Sequence, residues 1–275
     1  MNDENLQSEI INWREARARR LAEPDGWLAA AGLFWLAPGE NRLGGDPNNP
    51  ILLPAGSAPA QAGVLTLAED EIILQAEPGA EILISGQPIS TRRVPLVKID
   101  ELDWIQINAL KLQLLQRGER VGVRVFDPNH PRRMHFQGLR WFPIQEAYRV
   151  PARFIPSVEP QTLSILNLLG DILELPCPGV VEFSINGEDC RLYPLEAEEG
   201  RLWFIFRDAT SGELTYPAGR YLTADPPQEG QAILDFNKAT NPPCAYTEHA
   251  TCPLPPASNQ LSVAITAGEL NYMME

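Results

Sequence analysis

The sequence has little positive charge, few cysteines and histidines, and no long apolar run. Its 275 residues include 36 acidic and 22 basic residues, which gives a formal net charge of −14. A surface this negative repels phosphate backbones and anionic lipid, so we expect neither nucleic acid nor membrane as a partner. The longest apolar run, near 27–36, is shorter than the roughly 18 residues of a membrane-spanning helix.

Four cysteines are too few for the disulfide scaffold of a small secreted protein. The chain begins with the acidic, polar residues MNDEN and shows no secretory signal, which would need a basic start and an apolar run. We therefore expect a cytoplasmic protein with reduced thiols. No motif indicates a cofactor, so none is expected, and nothing in the sequence defines an oligomeric state.

What the sequence does contain is one helical segment followed by many short strands. Apolar residues at helical spacing predict a helix over 6–22, which the residues PDG at 24–26 end. From residue 27 onward the apolar pattern has a period of two, interrupted by glycine and proline turns. This predicts a mainly β protein: an N-terminal helix, then β-sandwich-like or barrel-like antiparallel sheets, with a proline-rich C-terminal loop.

The expected organisation has three segments, namely the helix at 1–26, a β-sandwich-like half at 27–136 and a C-terminal β half at 137–275. The two β halves are either separate domains or one fused unit. The C-terminal half includes residues 235–256, here called the proline-rich loop. A stiff, extended loop of this kind is held in place at low entropic cost, and such loops often line binding sites.

Three blocks of sequence carry a family resemblance. They are PDGWL, GLFWL and PGEN within 24–41; FQGLRWFP at 136–143; and RDATSG, TY, GRYL, LDFN, NPPCA, CPLPPASN and AGE within 207–269. Together they resemble the prokaryotic domain-of-unknown-function family numbered 1684, over nearly the whole chain, and the third block is the most specific. The resemblance implies a single architectural unit and brings no established activity.

A second resemblance covers residues 41–90. The residues NRLGGDPNNPILL at 41–53 are similar to the opening of a forkhead-associated domain, a β-sandwich that reads phosphothreonine. Gly45 stands where that motif has its arginine, no histidine follows Ser57, and Ser85 with Gly86 replaces the Asn-Gly turn. The resemblance therefore implies a related sandwich without the phosphate-binding side chains, and we expect no phosphothreonine binding.

Several arginines lie in or beside predicted strands of this acidic protein, among them Arg149, Arg207 and Arg220. A guanidinium inside a β-structure needs a carboxylate partner or an anionic ligand. An internal network with Asp208, Asp235 and Glu269 is one interpretation, and a ligand clamp is the other. Arg220 and Asp235 are expected to be neighbours on adjacent strands, because one proline-rich turn separates their strands.

The proline-rich loop supplies further candidates. If a site exists, Asp235 would act as acid or base and Cys244 as nucleophile with His249 as its base. The candidate ligand-binding residues are Arg149, Arg207, Asp208, Arg220, Asn237 and Asn241.

Cys244, His249 and Cys252 form the pattern C-x4-H-x2-C. A structural zinc site needs a fourth ligand, which Cys177, Cys190, His130 or His135 would have to supply, and the spacing matches no standard zinc pattern. No metal is therefore predicted. A disulfide between Cys244 and Cys252, or two unreactive buried thiols, are the alternatives.

Three hypotheses about function follow. The preferred one is binding or catalysis of a small anionic or polar metabolite in a pocket between the C-terminal β half and the proline-rich loop. The alternatives are a non-catalytic ligand-binding module with the same pocket, and a structural or interaction protein whose arginine–carboxylate clusters are internal. The sequence does not identify a ligand or a reaction.

Overall fold

The computed structural model describes residues 3–273, so the outermost residues of the expected first and last segments lie outside the described residues. Strands account for 44% and helices for 17% of the chain, in several antiparallel sheets that do not close into a barrel within the described part. The predicted mainly β fold with an N-terminal helix is confirmed. No helix among the described residues is long and apolar enough to cross a membrane.

The chain divides into two compact units, which are described separately below. Residues Arg20–Phe136 form the first, here called the inserted unit. Residues Met1–Arg19 and Gln137–Glu275 form the second, here called the split unit.

The inserted unit is built from strands β1 to β11 and a short helix α2. In chain order they are β1 (Ala30–Trp35), β2 (Gly39–Gly44), β3 (Ile51–Leu52), β4 (Gly63–Leu67), β5 (Glu71–Ala76), β6 (Ile82–Ile84), β7 (Gln87–Ile89), β8 (Thr91–Pro95), β9 (Ile105–Ile107), β10 (Leu110–Arg117), β11 (Arg120–Phe126) and α2 (Pro131–Met134). They form a six-stranded sheet in the order β1-β11-β10-β9-β6-β7 and a five-stranded sheet in the order β3-β2-β4-β5-β8. Short 3-10 helices cover Trp27–Ala29 and Leu96–Glu101.

Alternation of side chains explains how these strands build a core. In β4, for example, Gly63 and Leu65 are buried while Val64 is half-buried, which is the period of two that the sequence shows. The buried leucine, isoleucine and valine side chains of both sheets form one apolar cluster. This unit includes the segment that resembles a forkhead-associated domain.

The split unit contains helix α1 up to Arg19 and strands β12 to β18. The elements are α1 (Asp3–Leu21), β12 (Arg149–Leu166), β13 (Ile172–Ile185), β14 (Glu188–Leu192), β15 (Leu195–Glu196), β16 (Leu202–Phe206), β17 (Arg220–Ala224) and β18 (Gln231–Asp235). A four-stranded sheet has the order β14-β13-β12-β18, and a three-stranded sheet has the order β15-β16-β17. Short 3-10 helices cover Glu146–Tyr148, Glu198–Gly200, Phe236–Lys238, Pro243–Ala245 and Ala257–Asn259.

Local sequence explains two features of this unit. Asn186 and Gly187 both have positive φ, 52° and 82°, which suits the tight turn that joins β13 to β14. Gly219 has a φ of 94°, and a Cβ there would lie 2.5 Å from the carbonyl oxygen of Phe206. Only glycine therefore fits at the position directly before the buried Arg220.

One predicted strand is absent from the described structure. The apolar alternation at 261–265 predicts a strand, but these residues form an irregular segment. The backbone there bonds to single residues beyond the end of β16: the Leu261 N–H donates to Arg207, and the Ala209 N–H donates to Val263. These isolated bonds satisfy the backbone without a continuous ladder.

Candidate functional site

Arg220 lies inside the split unit and not on its surface. Its side chain is fully buried and forms a close ion pair with Asp208, which is also buried. The guanidinium also donates to the carbonyl oxygens of Ala267 and, at 3.0 Å, Ile265. Its Cζ lies 5.4 Å from the ring centroid of Phe206. Burial lowers the pKa of Arg220, and the Asp208 carboxylate opposes that shift.

The Asp208 carboxylate is fully engaged within the fold. Its Oδ1 accepts hydrogen bonds from the backbone N–H of Thr210 at 2.7 Å and from the Thr210 hydroxyl at 2.5 Å. That hydroxyl also lies 2.9 Å from the hydroxyl of Thr215. Arg220 and Asp208 therefore form an internal network that ties the start of β17 to the turn after β16.

The expectation that Arg220 meets Asp235 is wrong. Arg220 begins β17 in the three-stranded sheet, whereas Asp235 ends β18 in the four-stranded sheet. The turn between the two strands thus crosses from one sheet to the other. Asp235 instead lies opposite Arg149 on β12, and the Arg149 guanidinium is 3.4 Å from the Asp235 carboxylate.

Asn241 belongs to a second internal cluster, around Glu269. The fully buried Glu269 carboxylate accepts from the Asn241 backbone at 3.1 Å, from the Asn241 amide at 3.0 Å, and from the Tyr246 hydroxyl. Arg17 of helix α1 lies 4.0 Å away and donates to the Asn241 carbonyl at 3.1 Å. This cluster attaches the helix to the proline-rich loop.

Burial raises the pKa of Glu269, and Arg17, Tyr246 and Asn241 oppose that shift. At a pH between the pKa of Glu269 in the unfolded chain and its raised pKa in the folded protein, the folded protein holds a proton that the unfolded chain has released. The resulting stabilisation is present at low pH and is lost as pH rises through the folded-state pKa.

We therefore expect the free energy of unfolding of the native chain, minus that of Glu269→Gln, to fall as pH rises from about 4 to about 8. Urea denaturation of both chains across this range measures the difference, because the variant does not titrate at residue 269. A difference that increases with pH would mean that the hydrogen-bond donors outweigh burial.

The split unit also contains a cavity of about 930 Å³. Its walls come from helix α1, from β17 and β18, and from the turn that joins these strands. The lining residues are Glu9, Trp13, Arg149, Arg201, Tyr221, Thr223, Ala224, Asp225, Pro226, Gln228, Glu229, Gln231, Ala232, Ile233, Asp235, Lys238 and Thr240. Two predicted site residues, Arg149 and Asp235, thus lie in the cavity wall.

Ion pairs hold one end of this cavity together. Besides Asp235, the Arg149 guanidinium lies 3.6 Å from Glu9 of helix α1, and Lys238 lies 2.5 Å from the same carboxylate. The other oxygen of Asp235 accepts from the backbone and amide nitrogens of Asn237, at 3.2 and 3.0 Å. Asp235 is therefore a fixed part of the wall, and its hydrogen bonds favour a positioning role over proton transfer.

Three further charged residues lie at the other end of the cavity. Leu202 and Ala224 are the last residue pair of the β16–β17 ladder. Arg201 directly precedes Leu202 in the chain, and Asp225 directly follows Ala224. Within the part of the chain that the structure describes, Arg201, Asp225 and Glu229 form no ion pair; Arg201 donates through Nε to the Glu198 carbonyl. The sequence does not single out these three residues: Asp225 and Glu229 are exposed residues of a turn, and Arg201 is half-buried.

The remaining predicted site residues lie elsewhere. Asn237 is fully buried, where its amide donates to the Gln145 carbonyl at 2.9 Å and accepts from the Gln145 N–H at 3.0 Å. Arg207 is half-buried at the end of β16, next to Gly219 and Pro255. Neither Arg207 nor Cys244 is among the described residues that line the cavity.

Cys244 lies beside Cys252 in the proline-rich loop. Both are free thiols in the structure, and the Cys244 backbone N–H donates to the Cys252 sulfur at 3.2 Å. Among the described residues, no group of three or more histidine, cysteine, aspartate or glutamate side chains is arranged to hold a metal ion. His249 makes a contact of 3.9 Å with the exposed Glu248 carboxylate.

Fold and site together define a mainly β protein with a polar cavity in its split unit. The family model described as protein of unknown function (DUF1684) matches residues 134–270. The chain belongs to this family. The match contains the second and third sequence blocks, whereas the block at 24–41 lies outside it.

A solved structure with similarity to the chain is an uncharacterised protein from gene locus rrnAC0354 of Haloarcula marismortui, studied by solution NMR. It is 34% identical, with a TM-score of 0.43, and the similarity covers 50% of this chain and 79% of that chain. No curated protein matches the chain.

Proposed function

We propose that the cavity of the split unit binds a small polar metabolite that carries both a cationic and an anionic group. The observation that carries this proposal is the set of three charged residues at one end of the cavity, Arg201, Asp225 and Glu229, which form no ion pair with a described residue. The volume of about 930 Å³ lies within the range of about 300–1,000 Å³ that is typical of ligand pockets.

The sign of these charges supports a zwitterionic ligand over a simple anion. The cavity wall contains four carboxylates, of Glu9, Asp225, Glu229 and Asp235, against the three cations Arg149, Arg201 and Lys238. Glu9 and Asp235 are already paired with Arg149 and Lys238. A ligand ammonium group would therefore bind Asp225 and Glu229, while a ligand carboxylate would bind Arg201.

The same geometry supports binding more than catalysis. Asp235, the candidate acid or base, is engaged by Arg149 and Asn237. Cys244, the candidate nucleophile, lies outside the cavity wall. The internal networks of Arg220 and Glu269 would then hold the walls in place.

A thermal-shift screen with amino acids, amines and carboxylic acids tests the proposal, followed by calorimetric titration of any hit. Arg201→Gln, and the double change Asp225→Asn with Glu229→Gln, should each weaken binding by about tenfold or more, because each removes a charged partner of the ligand. Glu213→Gln is the matched control, since Glu213 is exposed and outside the cavity wall. Equal binding by all four chains would disprove the proposed site.

A further inference from the structure

The two cysteines of the proline-rich loop lie side by side, although they are 8 residues apart in sequence. The Cys244 N–H donates to the Cys252 sulfur at 3.2 Å, which places the Cys252 thiol against the Cys244 backbone. The loop between them is anchored at both ends. The Tyr216 hydroxyl donates to the Cys244 carbonyl, and the Tyr221 hydroxyl donates to the Pro253 carbonyl, each at 3.0 Å.

The two thiols differ in exposure and in acidity. Cys244 is half-buried, whereas Cys252 is buried. The hydrogen bond from Cys252 lowers the pKa of the Cys244 thiol, and Tyr216 adds to this effect against the opposing effect of burial. Cys252 has its pKa raised by the neighbouring Cys244 and by burial. The half-buried Cys244 thiol is thus easier to ionise than the buried Cys252 thiol.

We propose that Cys244 and Cys252 form a reversible redox pair, in which Cys244 reacts first with a small-molecule disulfide and Cys252 resolves the adduct. The juxtaposition of two free thiols, one half-buried and one buried beside it, carries this inference. It is independent of ligand binding in the cavity.

The reaction is a thiol–disulfide exchange with two steps. The Cys244 thiolate attacks one sulfur of the small disulfide, whose S–S bond breaks, and the released thiolate takes up the proton that Cys244 lost. Cys252 then gives up its proton and attacks the Cys244 sulfur, which releases the second small thiol. Two protein thiols are oxidised to one disulfide, and one small disulfide is reduced to two thiols.

The remaining cysteines serve as internal controls. Cys177 and Cys190 are buried, and burial raises the pKa of each thiol. The Cys177 thiol is also occupied by a hydrogen bond to the Gly179 carbonyl, at 3.1 Å. Neither should react with a small disulfide in the folded protein.

The test equilibrates the full chain with mixtures of glutathione and glutathione disulfide, blocks free thiols with N-ethylmaleimide and maps the products by mass spectrometry. We expect a disulfide between Cys244 and Cys252 that dithiothreitol reverses, with Cys177 and Cys190 left reduced. In Cys252→Ser, a mixed disulfide between glutathione and Cys244 should accumulate. In Cys244→Ser, Cys252 should stay unmodified. Circular dichroism checks that each variant is folded.

A second measurement needs no variant. In the native chain, iodoacetamide should alkylate Cys244 first, with a midpoint at a lower pH than that of an ordinary thiol. The proposal is overturned if no Cys244–Cys252 disulfide forms at any glutathione ratio. It is equally overturned if Cys177 or Cys190 reacts as fast as Cys244 in the folded protein.

Discussion

Replacing Arg220 by methionine should lower the free energy of unfolding by about 3–5 kcal/mol, which is the loss expected when one partner of a buried ion pair is removed. The change leaves the fully buried Asp208 carboxylate without its cation. It also leaves the carbonyl oxygens of Ala267 and Ile265 without their donor. Urea denaturation followed by circular dichroism measures the effect.

Arg207→Met is the matched control for this prediction. Arg207 lies at the end of β16, close in sequence to Asp208, but it is half-buried and has no ion pair with a described residue. Its replacement should change stability by about 0.5 kcal/mol or less. A loss of similar size in both variants, or a loss of less than about 1 kcal/mol for Arg220→Met, would contradict an internal, structural role for Arg220.

Glu269→Ala should produce a second large loss, also about 3–5 kcal/mol. The variant removes the acceptor of the Asn241 backbone, the Asn241 amide and the Tyr246 hydroxyl, all of which are buried. It also removes the carboxylate nearest to Arg17, and so weakens the attachment of helix α1. Chemical denaturation measures the loss, and limited proteolysis reports whether the helix is released.

Tyr246→Phe separates the carboxylate from one of its donors. This change removes the hydroxyl that donates to Glu269 and accepts from the Arg17 guanidinium at 3.5 Å, while the aromatic ring can stay against Tyr272. A loss of about 1.5–3 kcal/mol is expected, which is typical of a hydrogen bond to a charged group. If Tyr246→Phe costs as much as Glu269→Ala, the Tyr246 hydroxyl alone, and not the full set of donors around the Glu269 carboxylate, holds this cluster together.

The sequence predicts most of the fold because alternation and turn chemistry are local signals. The period-two pattern locates strands such as β16 at Leu202–Phe206, and helical spacing locates α1. The segment 261–265 has the same apolar alternation but forms no strand. Whether an extended segment joins a sheet depends on which edge it meets, and that is not encoded in its own residues.

The candidate site is predicted less well, because partner choice depends on tertiary structure. The chemistry of the side chains correctly predicts that arginines within the fold lie beside carboxylates. The pairs in the structure are Arg220 with Asp208, Arg149 with Asp235, and Arg17 with Glu269. Which arginine meets which carboxylate follows from sheet order and register. Arg201, Asp225 and Glu229 line the same cavity only because two strands and a turn pack together, which the sequence does not show.

A crystal structure of the chain with a screened zwitterionic metabolite tests the central claim most directly. The account predicts that the ligand lies in the cavity between helix α1, β17 and β18. Its anionic group should contact Arg201, and its cationic group should contact Asp225 or Glu229. A ligand bound elsewhere, with this cavity empty at saturating concentration, would contradict the account.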